Sequence, residues 1–239
     1  MKRSLTAVAA LSVLGVVPAL SNAGASTPAN LAGMSAQQVL ATTLRAASAQ
    51  TTAASVVSTS VLGITIKGVT ESGPSSGDVF LTVNGHKGEI VYDGGVVYAR
   101  FDPAVVNFEF HSTVSSVANK WISLTKTSRY YSNLAEGVTL PSVLEELTPV
   151  GTLSATPTTL NGRSVIALAG KDNATVGVPG GTQTLYVSTT APFLPVEGKV
   201  HATTSGITLD LLIQMKNWGV TVDVTAPKVF TSIAKTPLK

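Results

Sequence analysis

The feature that most constrains the fold is the alternation in the last long extended run. Ile207, Leu209, Leu211, Ile213 and Met215 fall on one side of it, and Thr208, Asp210, Gln214 and Lys216 on the other. Pro195–Thr204 alternates as well, with Val196, Gly198, Val200 and Ala202 opposite Glu197, Lys199, His201 and Thr203. A period of two sends successive side chains to opposite faces. Such strands belong to an antiparallel sheet with one solvated and one apolar face, and the apolar face needs a cover.

The sheet begins early. From Thr52 onward the chain is rich in Val, Ile, Thr, Ser and Gly, with turn residues every 8 to 12 positions, which is the signature of antiparallel strands. Strands are expected over Ala53–Leu62, Ile64–Ser72, Asp78–Asn84, Lys87–Tyr92 and Val96–Phe101. After a break they resume as a short strand at Lys120–Leu124 and then Gly151–Leu160, Arg163–Gly170, Thr182–Ser188, Pro195–Thr204 and Ile207–Lys216. Asp93-Gly94-Gly95, Asn161-Gly162 and Ser205-Gly206 mark tight turns, and Gly177–Gly181 a looser one.

Helical segments are the candidates for the cover. Ser35-Ala36-Gln37-Gln38 is a capping box, and Val39, Leu40, Thr43, Leu44 and Ala47 then recur at helical spacing, predicting a helix over 36–49. Asp102-Pro103 opens a second, weaker helical stretch running towards Asn119, with Asp102 as N-cap. Thr125–Glu136 reads as a short irregular helix, and Thr139–Leu147 carries Leu140, Val143, Leu144 and Leu147 on one face, with Pro141 in its first turn.

The N-terminus has a separate role. Lys2 and Arg3 precede an apolar run from Leu5 to Leu20, and Ser21-Asn22-Ala23 and Ala23-Gly24-Ala25 supply small residues before a cut, the pattern of a secretory signal peptide. The expected organisation is a signal peptide over 1–25, a flexible mature N-terminus over 26–34, one domain over 35–230 and a C-terminal tail over 231–239. Removing Lys2 and Arg3 from 16 basic residues leaves 14 against 13 acidic. Without a clustered basic patch, that balance gives no footprint for nucleic acid. The sequence holds no cysteine, so stability must come from an apolar core and not from a disulfide framework.

Catalytic motifs are few and out of context. Gly73-Pro74-Ser75-Ser76-Gly77 matches G-x-S-x-G, but a nucleophile elbow needs a strand before it and a helix after it, and here a strand is expected to follow. His86, His111 and His201 are the only histidines and none is spaced for a metal. Glu145 and Glu146 are adjacent on a helix and point in different directions. Asn173-Ala174-Thr175 is a glycosylation sequon by pattern alone. The remaining chemistry is apolar area, which recognises an acyl chain without any motif, at roughly 0.8 kcal/mol per buried methylene. By periodicity, the candidate lining of such a cavity is Leu40, Leu44, Leu140, Val143, Leu144, Leu147, Val200, Leu209, Leu211 and Ile213.

The segments "GEIVYDGGVVYARFDP", "KWISL", "TLPSVLEEL", "TLYVSTTAPFLPVEGKV" and "NWGVTVDVTAP" resemble the LppX–LprG family of actinobacterial lipoproteins, which share the LolA-like fold. The spacing of Tyr98, Trp121, Tyr186, Pro195 and Trp218-Gly219 is the most specific part, and the match runs from about Ala36 to Lys228. The resemblance implies an α+β fold in which a strongly curved antiparallel half-barrel wraps around a few helices. It implies a non-enzymatic carrier of lipid or glycolipid with acyl chains, working in the cell envelope with transient contacts to the membrane or to envelope proteins. No catalytic residue, metal or cofactor comes with it. Family members carry an acylated Cys that tethers them, whereas "LSNAGAS" offers none. The expectation is therefore a secreted, untethered protein. The alternative is an envelope regulatory or protein-interaction domain on the same scaffold with a filled core.

Overall fold

A computed structural model describes residues 30–110, 115–173, 180–204 and 206–233. The expected signal peptide, His111, most of the sequon, most of the 177–181 turn and the end of the tail lie outside them.

The described residues form one open sheet of twelve strands with four α-helices. Ala36–Ser48 is α1. Ala53–Val61 (β1), Ile64–Ser72 (β2), Ser76–Val83 (β3), His86–Asp93 (β4) and Val96–Phe101 (β5) follow as successive hairpins. Pro103–Phe110 is α2, Ile122–Leu124 is β6, Tyr131–Ala135 is α3 and Leu140–Glu146 is α4. Val150–Leu160 (β7), Arg163–Lys171 (β8), Thr182–Ser188 (β9), Pro195–Thr204 (β10), Ile207–Trp218 (β11) and Thr231–Ser232 (β12) complete it. The order across the sheet is β12-β6-β5-β4-β3-β2-β1-β11-β10-β9-β8-β7. All neighbours are antiparallel except β12 and β6. The pairing of β1 with β11 joins the two hairpin series, so β1 and β2 stand at the centre.

Local chemistry accounts for the elements. The Ser35 hydroxyl accepts from the Gln38 backbone N–H, and the Gln38 side chain accepts from the Ser35 N–H at 2.8 Å, which closes the capping box that starts α1. Asp102 precedes α2 and its carbonyl takes the first helical bond, from the Val106 N–H. Its carboxylate, however, accepts the Lys87 N–H at 2.8 Å and ties α2 to β4. Pro141 sits in the first turn of α4, where its missing N–H costs nothing.

The helices share one face of the sheet. α1 packs on β7, β10 and α4, α2 on β4 and β5, and α3 on β5. Two apolar clusters result. The first joins α1 and α4 to β8–β11 and includes Leu147, Leu168, Leu185 and Phe193. The second joins α2 and α3 to β4–β6 and includes Phe101, Phe110, Ile122 and Leu124.

The stretch expected as helix over Thr125–Glu136 is α-helical only at Tyr131–Ala135, and α2 ends at Phe110, within the stretch running towards Asn119. Three further placements differ from expectation. Leu31, in the stretch read as a flexible N-terminus, is buried in the first cluster just before the helix cap. Thr231–Ser232, read as tail, pairs with β6, and Ile233 is buried in the second cluster. Glu197, assigned to the solvated face, is only 4% exposed. Lys199 lies 3.0 Å from one of its oxygens, and the Gln214 amide donates to the other at 2.9 Å.

Residues 219–230 cross from β11 to β12. Val220, Val222 and Val224 are half-buried while Thr221, Asp223 and Thr225 are exposed. Phe230 stacks edge-on against Tyr98 at 5.1 Å. Tyr98 alternates with the helix-facing Val97 and Ala99, so this strap ends on the sheet face opposite the helices.

Candidate functional site

Strand register defines the helix-bearing face row by row. One row runs Leu168–Leu185–Gly198–Ile213–Val57–Gly68–Leu81–Gly88–Phe101. Its three glycines are unlike one another. A Cβ at Gly198 would collide with the Leu147 side chain. One at Gly88 would fall 2.7 Å from Phe101 Cδ1 and 2.8 Å from Leu81 Cδ1. The space over Gly198 is taken by Leu147, at the end of α4, and that over Gly88 by its cross-strand neighbours Leu81 and Phe101. At Gly68 a Cβ would meet only ordinary contacts, the nearest Val79 Cγ1 at 3.5 Å.

Gly68 is itself buried, but the side chains around it are less covered. Val57 and Val61 of β1, Ile64 and Ile66 of β2, and Val79 and Leu81 of β3 are half-buried. The first two pack on one cluster and the other four on the second. Their principal contacts come from neighbouring strands, whereas the helices pack on strands to either side. The result is an apolar trough along β1–β3 between two closed cores. Leu40 and Leu44 of α1 and Phe108 of α2 are also half-buried against those cores.

The ten residues selected by periodicity all meet in the first cluster. Leu140, Val143, Leu144, Leu147, Val200, Leu209, Leu211 and Ile213 are buried, with Leu147 fully enclosed. Leu40 and Leu44 are half-buried beside them. Periodicity found the apolar face. It missed Val57, Val61, Ile64, Ile66, Gly68 and Leu81, although the alternation of β1 and β2 carried the signal.

Two concavities lie away from those ten residues. One, of about 550 Å³, is bordered by Phe80, Lys87, Glu89, Arg100, Asp102 and Asn119, and the Arg100 guanidinium there pairs with Glu89 and lies 4.9 Å from the Trp121 ring centre. The other, of about 180 Å³, is lined by Ile64, Val83, Asn84, His86, Ala104 and Phe108 at one end of the trough.

The polar candidates remain dispersed. Ser75 is exposed in a turn that β3, not a helix, follows. His86 is exposed at the start of β4, and His201 Nδ1 lies 2.7 Å from Asp210 Oδ1 at an exposed position. Among the described residues no group of three or more His, Cys, Asp or Glu is placed to hold a metal. Glu136, Glu145 and Glu146 cluster where α3 meets α4, and the Glu146 carboxylate lies against the Gly137 backbone. Burial and then the Glu145 charge push Glu136 up to about 7. Burial and then the charges of Glu136 and Glu145 push Glu146 up to about 8.

The fold and site define an open, mostly antiparallel sheet with a few helices on one face and an incompletely covered apolar centre. No family model matches the chain, and no curated protein matches it. Among solved structures it is similar to an uncharacterized conserved protein from Thermus thermophilus, at 13% identity and a TM-score of 0.47, over 84% of this chain and 99% of that one. It is also similar to a DUF1329 family protein from Desulfovibrio piger, at 10% identity and a TM-score of 0.33, over 80% of this chain and 95% of that one.

Proposed function

We propose that this chain is a secreted, non-enzymatic carrier that holds the acyl chains of a lipid or glycolipid against a half-barrel sheet of the LolA-like kind and moves them through the cell envelope. The observation that supports it is the trough over Val57, Val61, Ile64, Ile66 and Leu81, apolar yet half-covered, around a glycine whose Cβ position meets only ordinary contacts. Leaving such side chains part-exposed forgoes hydrophobic stabilisation at roughly 25 cal/mol per Å². An acyl chain laid along β1–β3 recovers it.

Native mass spectrometry of gently extracted protein tests this reading. Bound acyl species, together with saturable uptake of a fluorescent fatty acid, are the expected result. Protein that emerges from its own host without lipid and takes up no fatty acid overturns it.

A second reading, an envelope interaction domain with a filled core, draws on the close packing around Leu147, Leu185 and Phe193. It predicts no uptake, and binding that depends on surface residues.

A further inference from the structure

Among the described residues, four hairpins are closed by two-residue turns in which both residues have positive φ. They are Leu62-Gly63 (52° and 77°), Asn84-Gly85 (49° and 87°), Gly94-Gly95 (56° and 86°) and Asn161-Gly162 (50° and 78°). This geometry suits the right-handed twist of the strands and favours Asn, Asp or Gly at the first position. Three turns comply. The β1–β2 turn instead places leucine in the left-handed region, where a branched side chain is strained. The Leu62 side chain gains little burial in return, because it is 51% exposed. Both local geometry and burial therefore oppose leucine at this position.

Its location gives the residue a use. Leu62 caps the central hairpin of the sheet. The pair that closes its turn, Val61 and Ile64, belongs to the trough, and Ile64 also lines the 180 Å³ concavity with Phe108. Apolar surface thus continues from the turn into the interior.

We propose that the Leu62-Gly63 turn is a docking point that dips into a lipid bilayer and sets the open end of the trough against it. The geometry favours a bilayer over a protein. One leucine on a two-residue turn falls far short of the roughly 1,000 Å² of a specific protein interface, whereas a fluid apolar layer closes around a single wedge. The sheet face opposite the trough carries lysines that suit anionic headgroups. The row Lys67–Thr82–Lys87 lies roughly 13 Å behind the turn, at about 3.3–3.4 Å per residue. Asp210, beside His201, and Asp102, which accepts the Lys87 backbone N–H, are acidic groups nearby and offset part of that charge. The proposal deepens the carrier reading and rests on it for its purpose, but its test is separate.

The test places a reporter at the turn. Leu62→Trp is mixed with vesicles of phosphatidylcholine and phosphatidylglycerol, and its emission is compared with that of the parent, which carries Trp121 and Trp218. The expected result is a blue shift beyond the parent's, with at least half of the added emission quenched by brominated acyl chains. Added emission that neither shifts nor quenches overturns the proposal. Leu62→Asn, which gives this turn the residue used at Asn84 and Asn161, should melt no lower than the parent while losing most of its rate of lipid exchange with vesicles. Where the parent exchanges lipid, an unchanged rate in Leu62→Asn also overturns it. Uptake of a soluble fluorescent fatty acid should be the same in Leu62→Asn and the parent. If neither takes it up while the tryptophan still reports insertion, the carrier reading fails and the docking point stands.

Discussion

At the residue scale, the contrast among Gly68, Gly88 and Gly198 separates filled core from open trough. Leu147 occupies the space above Gly198, and Phe101 and Leu81 occupy that above Gly88. At Gly68 a Cβ would meet only ordinary contacts, and no positive φ forbids one. Gly68→Leu should therefore fold and, by occupying the trough, weaken fatty-acid uptake about tenfold or more, a loss of at least ~1.4 kcal/mol. Leu147→Ala should do the opposite. It empties a fully buried site and should cost about 2–5 kcal/mol in urea unfolding, with uptake kept wherever the variant remains folded. A fluorescence titration beside each unfolding curve distinguishes the two outcomes. Equal uptake by Gly68→Leu and the parent would move the ligand elsewhere. Glu197 adds a lesson at this scale. Alternation assigned it to the wet face, yet Lys199 and Gln214 hold it nearly buried. A period of two specifies a face, but not the partners on the same and neighbouring strands that cover a residue there.

At the element scale, α1 was legible to within a residue because its capping box and its 3.6-residue stripe agree. The strands were legible because turn residues punctuate a clear alternation, and β2, β5, β9 and β10 begin and end where the sequence placed them. The α3–α4 cover was less legible, since its two helices are only five and seven residues long and lean on the sheet. This cover carries a pH dependence. Glu136 and Glu146 have raised pKa values, about 7 and about 8, and burial raises Glu109 of α2 to about 7. A carboxyl with a raised folded-state pKa holds its proton more tightly when folded. Its contribution is complete below the ordinary carboxylate range and is lost as pH rises through 7 to 8. The melting temperature should accordingly fall between about pH 5 and about pH 9, and Glu146→Gln should flatten that fall. A parent midpoint that stays level across the window would contradict it.

At the scale of the whole molecule, the two cores are joined through one continuous sheet and by the strap of residues 219–230, which ends on the other face. The strap is fixed at both ends. The Gly219 N–H donates to the Thr52 carbonyl at 3.0 Å, and the Thr231 N–H to the Trp121 carbonyl at 2.9 Å. Beyond it, Ile233 enters the second cluster. Ile233→Ala should cost about 2–5 kcal/mol in urea unfolding, as a core truncation does. A loss within the few tenths expected of a surface change would show that the chain's last described turn packs on the sheet without supporting it.

Because alternation, caps and turn chemistry act within a few residues, the sequence by itself determined eleven of the twelve strands to within a few residues, their apolar face and the helices available to cover it, but not β12. Which apolar residues are sealed and which stay half-open was decided only in three dimensions. That outcome depends on the β1–β11 pairing, which puts β1 and β2 at the centre. It also depends on helices that settle to either side of them. Leu144 and Ile66 are equally apolar in sequence. Leu144 is buried on the sheet-facing side of a packed helix and Ile66 stays half-buried beside Gly68, and long-range packing alone separates them.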